Sequence, residues 1–126
     1  MTDEQPIDTI RRFCAAWGHE KIDGIVAFFA DDAVYHNIPV APVVGADQIR
    51  ATIEGFTGGV ESIEFRLDAI AADGSTVLTE RMDIFTFPNG RIDLPVMGTF
   101  EVVGGKIAAW RDYFDMAMFL GQMPQA

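Results

Sequence analysis

The sequence is short of the residues on which several classes of protein depend. Its one cysteine, Cys14, excludes an internal disulfide, and its two histidines, His19 and His36, form no zinc-ligand spacing with it. We therefore expect Cys14 to be an inert residue of the core. Basic residues are also few: 9 Lys and Arg against 19 Asp and Glu leave a net charge of −10. A chain that repels phosphate in this way is not expected to bind nucleic acid.

Long apolar segments are absent as well. No run approaches the roughly 18 residues that a membrane-spanning helix needs, so no membrane span is expected. The opening residues Met1, Thr2, Asp3 and Glu4 contain no basic stretch leading into an apolar one, which predicts no signal peptide and a cytoplasmic location. The chain also lacks a glycine-rich phosphate loop and a cluster of metal ligands, and we expect neither cofactor nor metal.

What the sequence has is enough apolar material for one globular domain. Its 126 residues are 49% hydrophobic and include ten phenylalanines. A chain of this length buries roughly two-thirds of its unfolded surface, which leaves room for a core that contains a pocket. We therefore predict a single domain over residues 1–126.

The first half of the chain has the apolar spacing of helices. Residues 6–17, 22–29 and 46–56 repeat apolar side chains at steps of three and four, which predicts three helices. Residues 33–38 are predicted to be extended and to end before Pro39, since proline cannot sit in a central strand.

The second half alternates with the period of strands. Four strands are predicted, over residues 60–71, 77–87, 92–103 and 107–115, and a short helix over residues 116–123. The breaks carry turn residues: Asp73-Gly74, Pro88-Asn89-Gly90 and Gly104-Gly105. Such turns make consecutive strands antiparallel neighbours. The sequence therefore predicts an α+β fold in which helices cover one face of a curled, largely antiparallel sheet.

Charged residues occur inside two of these apolar strands. Because side chains alternate along a strand, Arg81 and Asp83 share one face, and Trp110 and Asp112 share another. A buried charge costs several kcal/mol unless it is paired, and one arginine between two aspartates pairs both. Two such carboxylates can divide into an acid and a base. Tyr35 and Asn37, also two residues apart, can hydrogen-bond a water beside them.

Apolar residues of the same strands are expected to wall this site. We predict Phe85, Leu94, Val96 and Phe100 as walls, with Trp110 shaping the pocket while packing in the core. The alternative is that the charges are solvated surface pairs, each worth under about 1 kcal/mol. His36, Asp93 and Asp115 lack the geometry of the site and are assigned no catalytic role.

Three segments in order resemble the limonene-1,2-epoxide hydrolase family: residues 35–39, 81–83 and 105–115. They contain the strings Tyr-His-Asn-Ile-Pro, Arg-Met-Asp and Gly-Lys-Ile running on to Trp-Arg-Asp-Tyr-Phe-Asp. The resemblance implies the cone-shaped fold of nuclear transport factor 2 and SnoaL-like proteins, and a homodimer. The N-terminal extension before the first helix is shorter than in the type enzyme, which leaves the size of the substrate open.

The resemblance also implies roles for five residues. Asp112 would act as general base on a water held by Tyr35 and Asn37, while a protonated Asp83 donates its proton to the epoxide oxygen and Arg81 bridges the two aspartates. Water would then attack directly, without an ester intermediate, and a cyclic epoxide would give a trans-diol. The implied substrate is an apolar epoxide, and neither its identity nor the regiochemistry or enantiopreference of its hydrolysis follows from the residues.

Two other functions remain open on the same scaffold. One is an isomerase or cyclase, in which an aspartate takes a proton next to a carbonyl and a tyrosine binds the enolate oxygen. Sites of the ketosteroid isomerase type draw that tyrosine from the first helix, and the only tyrosines here are Tyr35 and Tyr113. The other is a non-enzymatic small-molecule carrier or dimerisation module, for which buried charges would have no use.

Overall fold

The computed structural model describes residues 4–124. Met1, Thr2 and Asp3, on which part of the signal-peptide expectation depends, lie outside the described residues. The helices are α1 (Pro6–Ala16), α2 (Ile22–Val26), α3 (Ala46–Thr57) and α4 (Met116–Gly121). The strands are β1 (Phe29–Asn37), β2 (Val43–Val44), β3 (Ser62–Asp73), β4 (Thr76–Phe87), β5 (Gly90–Val103) and β6 (Lys106–Tyr113). The predicted α+β class is confirmed.

The strands form one sheet in the order β2-β1-β6-β5-β4-β3. From β3 to β6 each strand pairs with the next in antiparallel fashion, as the turn residues predicted. Gly74 lies in the β3–β4 turn with φ 61°, a left-handed conformation that glycine adopts without strain. The β5–β6 turn uses Gly104 and Gly105, at φ 58° and 78°, in the same way.

The pairing of β1 with β6 is parallel and was not predicted. In this register Tyr35 lies beside Trp110 and Asn37 beside Asp112. The two segments are far apart in sequence, and the pairing brings their polar side chains to one end of the sheet. β2, a two-residue strand on the outer edge of β1, was also not predicted.

The second predicted helix is wrong at its end. The apolar spacing predicts a helix over residues 22–29, but α2 ends at Val26 and Phe29 begins β1. Phe29 is paired with Ile107 of β6 and is only 5% exposed. Its burial therefore comes from the sheet, and a single apolar residue at the right spacing does not distinguish this from helix packing.

The main core lies between α1 and the concave face of the sheet. The Phe13 ring of α1 contacts Phe29, Phe100 and Trp110 at centroid distances of 5.6, 5.7 and 5.1 Å, each in an edge-to-face arrangement. Cys14 is 2% exposed, and burial raises the pKa of its thiol to about 12. The thiol is therefore protonated at neutral pH and fits the inert core role expected of it. No helix among residues 4–124 is long and apolar enough to cross a membrane.

Candidate active site

A pocket of about 210 Å³ opens between the sheet and the helices α3 and α4. Four of the five predicted catalytic residues line it: Tyr35, Asn37, Asp83 and Asp112. The fifth, Arg81, is fully enclosed beneath the two aspartates, with 1% of its surface exposed. The structure thus brings side chains from β1, β4 and β6 to one position.

Arg81 joins the two aspartates through one guanidinium. Its Nε and Nη2 donate to Oδ1 and Oδ2 of Asp83 at 2.9 and 2.8 Å. Its Nη1 and Nη2 donate to Oδ1 and Oδ2 of Asp112 at 3.1 and 2.8 Å. Both aspartates are only 4% exposed, so these are buried ion pairs, unlike the solvated pairs considered as the alternative. The ring of Phe65 lies 4.7 Å from the guanidinium carbon and adds a cation–π contact.

Asp112 has a further partner that sequence analysis missed. The indole Nε1 of Trp110 donates to Oδ1 of Asp112 at 2.6 Å. Oδ1 therefore accepts two hydrogen bonds, whereas Oδ2 accepts one, from Arg81, among residues 4–124. A carboxylate oxygen has more than one lone pair, so Oδ2 retains the capacity to bind a water in the pocket. The two-residue spacing of Trp110 and Asp112 was the signal available in the sequence.

Gly98 and Thr79 lie directly against the guanidinium of Arg81. Thr79 accepts a hydrogen bond from Nη1 of Arg81 at 3.2 Å and donates to the carbonyl of Gly98 at 3.1 Å. A Cβ added at Gly98 would lie 2.5 Å from Oδ1 of Asp112 and closer still to Arg81. Glycine is therefore required at this point by space. Gly98 alternates with the predicted wall residues Leu94, Val96 and Phe100, so it lies on their face of β5, but sequence analysis gave it no role.

Tyr35 and Asn37 lie beside Asp112 through the parallel pairing of β1 and β6. The phenol of Tyr35 donates to Oδ1 of Asn37 at 3.2 Å. The Tyr35 ring stacks on Trp110 with centroids 4.2 Å apart and planes 10° from parallel. Trp110 therefore positions the tyrosine as well as the aspartate.

The surroundings of the site shift the pKa values of three of its residues. Burial raises the pKa of Asp83 from its ordinary value of 3.8 to about 6, against the opposing attraction of Arg81. For Arg81, burial acts against the charge, but Asp112 and Asp83 outweigh it and hold the guanidinium pKa well above its ordinary value. Burial, helped by the charge of Asp112, also raises the pKa of Tyr35, so the tyrosine stays a neutral phenol.

Of the five residues predicted to wall or shape the pocket, the structure places three in its lining. Phe85, Leu94 and Val96 line the pocket. Phe100 and Trp110 do not: both are fully buried in the main core beneath it, where they stack on each other with centroids 5.5 Å apart. Phe100 and Trp110 do lie on the predicted faces of their strands. At their position along the sheet, however, α1 packs against that face, and the pocket begins above them.

Other walls were missed, and they come from α3, from α4, from inside β3 and from the residue that follows β6. The further residues around the pocket include Phe56, Phe65, Phe114, Met116 and Phe119. Phe56 lies at the predicted end of the third helix, and α4 supplies Met116 and Phe119. Apolar spacing alone does not indicate whether such a residue faces the core or a pocket.

Asp93 and Asp115, which sequence analysis left out of the site, do not line the pocket. Asp115 accepts a hydrogen bond from the backbone of Met118 and caps α4. Asp93 pairs with Arg91, and Arg111 pairs with Glu101 rather than with Asp112. Among residues 4–124 no group of three or more His, Cys, Asp or Glu side chains is arranged to hold a metal ion.

Comparisons with known proteins give the family. Residues 4–125 match the model of the limonene-1,2-epoxide hydrolase catalytic domain. The chain is 36% identical over 113 residues to epoxide hydrolase EphG of Mycobacterium tuberculosis, a match that covers 89% of this chain and 75% of EphG. The solved structure of a limonene-epoxide-hydrolase-like epoxide hydrolase from M. tuberculosis has a TM-score of 0.80 at 33% identity and covers 93% of this chain and 87% of that chain.

A more distant structure shares the fold alone. A SnoaL-like polyketide cyclase from Shewanella putrefaciens, described as putative, superposes with a TM-score of 0.82 at 14% identity, covering 93% of this chain and 94% of that one. Fold and function are separable on this scaffold. The family match and the identity to EphG decide the assignment: this chain belongs to the limonene-1,2-epoxide hydrolase family.

Proposed function

We propose that this member of the limonene-1,2-epoxide hydrolase family is a cofactor-independent epoxide hydrolase that adds water to an apolar epoxide in one step. The observation that carries the proposal is the buried Asp83–Arg81–Asp112 bridge at the floor of an apolar pocket. An epoxide is strained, but its alkoxide is a poor leaving group. Removing a proton from the water and protonating the oxygen in the same step therefore help one another.

Asp83 is the general acid in this proposal. Burial raises its pKa to about 6, so roughly half of the molecules carry this proton at pH 6 and about a tenth at pH 7. A hydroxyl donor is what the epoxide oxygen needs as the ring opens. Asp83 also lines the pocket, which puts its carboxyl group within reach of a bound substrate.

Asp112 is the general base and acts through Oδ2. Three donors stabilise its ionised form: two nitrogens of Arg81 and the indole of Trp110. Because Trp110 and Arg81 both occupy Oδ1, the oxygen that takes the proton from water is Oδ2. Tyr35 and Asn37 stand beside it and hold the water by hydrogen bonds, with Tyr35 kept neutral by burial.

The pocket favours a compact apolar substrate. Its walls are mainly phenylalanine, leucine and valine side chains, and the two aspartates are the charged side chains that line it among residues 4–124. Its volume of about 210 Å³ is below the roughly 300–1,000 Å³ that drug-sized ligands occupy. A small cyclic epoxide therefore fits the proposal better than a long-chain one, and attack from the face opposite the breaking bond gives a trans-diol.

The acid and base assignment is tested with Asp83→Asn and Asp112→Asn. Either change should nearly abolish diol formation from a panel of epoxides, and the double variant should lose little more, because residues that act in one transition state are not additive. Asp68→Asn is a matched control: Asp68 also follows an arginine by two residues, but its pair with Arg66 is exposed. Near-wild-type turnover in either catalytic variant would refute the assignment.

The one-step mechanism is tested by a single turnover in isotopically labelled water. Direct attack puts the label in the diol and none in Asp83 or Asp112, whereas a carboxylate nucleophile becomes labelled through an ester. The stereochemistry of the diol is read from the same reaction by chiral chromatography. Label in either aspartate would contradict the proposed role of Tyr35 and Asn37.

The protein is also proposed to be a homodimer, which the family resemblance implies. The outer face of the sheet, opposite the pocket, carries Met97 and Tyr113 side by side, 52% and 46% exposed. Leu78 on β4 is 46% exposed. Light scattering should give the mass of two chains, and a monomer at micromolar concentration would contradict the proposal.

A further inference from the structure

One wall of the pocket, the short helix α4, makes few contacts that would fix its position. The six-residue helix α4 contributes Met116 and Phe119 to the lining, yet none of its residues is buried. The ring of Phe119 meets Phe85 edge-on at a centroid distance of 6.3 Å. A helix this short is not stable by itself, so its position depends on the contacts that tie it to the sheet.

The strongest tie is the side chain of Gln122, the residue that follows the helix. Its amide oxygen accepts from the backbone N–H of Asp93 at 2.9 Å, and its Nε2 donates to the carbonyl of the same residue at 2.9 Å. Nε2 also lies 3.3 Å from the carbonyl of Met118 in α4. One side chain thus connects the helix to β5 through both of its polar atoms.

The position of Gln122 follows from an exposed strand edge. β6 pairs with β5 only from Met97 onward, so no strand of residues 4–124 pairs with the first part of β5 on that side. An unpaired strand edge offers a backbone N–H and a C=O side by side, and a primary amide supplies the matching acceptor and donor. The side chain of Gln122 therefore makes the two hydrogen bonds to β5 that the backbone of one residue in a neighbouring strand would make.

We propose that Gln122 is a positioning residue that fixes α4 against the pocket and thereby limits the size of the epoxide admitted. Gln122 and Phe119 are three residues apart, which puts them on the same side of the helix end. Fixing the glutamine at Asp93 therefore fixes Phe119 at Phe85. The proposal concerns the size of the substrate and rests on the proposed function for the identity of the reaction.

The test compares Gln122→Met with Leu120→Met. Methionine preserves the length and approximate volume of glutamine but can replace none of its three hydrogen bonds. Leu120 is 59% exposed on the same helix and does not line the pocket, so the same side chain there is a matched control. Kinetics are measured with a small epoxide, cyclohexene oxide, and a bulky one, stilbene oxide.

With Gln122→Met we expect the ratio of kcat/KM for the bulky epoxide to that for the small one to rise about tenfold, the change produced by 1.4 kcal/mol. For the small epoxide KM should rise while kcat stays within about twofold, because the aspartates and Arg81 are untouched. The control should leave the ratio unchanged. A general loss of stability would instead lower the rates for both epoxides together and leave their ratio as it was, and that result would overturn the proposal.

A second readout does not depend on activity. In Gln122→Met the amide proton of Asp93 should exchange with solvent faster, and the nuclear Overhauser contacts between the rings of Phe119 and Phe85 should weaken. If both remain as in the wild type, Gln122 does not hold α4 and the inference is wrong. If the wild-type protein forms no diol from any epoxide, the proposed function fails, and these two signals alone decide whether Gln122 positions the helix.

Discussion

Gly98→Ala is the most specific perturbation of the site, because it adds one methyl group beneath the arginine. In the sheet Gly98 lies between Thr79 of β4 and Asp112 of β6. The new Cβ would be 2.5 Å from Oδ1 of Asp112, 3.0 Å from Oγ1 of Thr79 and closer still to Arg81. Ordinary contacts of this kind are about 3.5–4 Å. We predict that this alanine nearly abolishes hydrolysis.

The size of the effect follows from the packing around Arg81. The guanidinium is fully buried, all three of its nitrogens are hydrogen-bonded, and the Phe65 ring lies 4.7 Å from its carbon. Arg81 therefore has to shift by about 1 Å, which in an active site costs about 10²-fold in rate. Overpacking costs about 1–3 kcal/mol, and losing one hydrogen bond to a charged group about 1.5–3 kcal/mol. The free energy of unfolding should fall by about 3–5 kcal/mol.

Gly55→Ala supplies the matched control. Gly55 lies inside α3, and a Cβ there would meet nothing within 4 Å. Since alanine is favoured over glycine in a helix by about 0.5–1 kcal/mol, this variant should keep full activity and be slightly more stable. Initial rates of diol formation and urea unfolding measure both effects. Wild-type rates and stability in Gly98→Ala would show that the arginine and Asp112 are not held as the structure has them.

Three further predictions concern the same site. The pKa of Asp83 is raised to about 6, so the rate should fall as the pH rises through 6. The folded state holds this proton more tightly than the unfolded chain, so the contribution of protonated Asp83 to stability, about 3 kcal/mol, should be lost as the pH rises from about 4 to 6. Urea unfolding of the wild type and of Asp83→Asn across this pH range checks the second effect. Trp110→Phe removes the indole donor and should lower kcat about 10- to 100-fold, measured at saturating epoxide, with little change in KM. Activity should survive dialysis against a chelator, and a loss restored by added metal would contradict the proposed chemistry.

The pairing of the four strands β3 to β6, and the shared face of Arg81 and Asp83, were predictable because they depend on local signals. Turn residues after Asp73, around Gly90 and at Gly104 gave three antiparallel connections, and alternation then placed Arg81 and Asp83 on one face. The spacing of an arginine and an aspartate is not by itself informative. It also occurs at Arg66–Asp68 and Arg91–Asp93, where the side chains are 38% to 59% exposed. What distinguishes residues 81–83 is the apolar strand around them.

The parts that were not predictable depend on contacts distant in sequence. Nothing local to residues 29–37 indicates that β1 runs parallel to β6, yet this pairing decides that Tyr35 and Asn37 stand beside Asp112. The level at which the core ends and the pocket begins is set by α1, so alternation alone assigned Phe100 to the wrong one. The hydrogen bonds between Gln122 and Asp93 also join residues that are distant in the chain, and a glutamine after a short helix carries no signal of them.

The net charge of the buried cluster links its stability to its chemistry. Arg81 contributes one positive charge, and the two aspartates would contribute two negative ones, so a fully ionised cluster buries a net charge of −1 inside a chain whose own charge is −10. One proton removes that cost. Asp112 accepts three hydrogen bonds and Asp83 two from the described residues, so the proton belongs on Asp83, where the proposed reaction needs it. During that reaction Asp83 gives up a proton while Asp112 gains one. The total charge of the cluster therefore stays at zero throughout the step, and the arginine between the aspartates serves the starting and the final arrangement equally well.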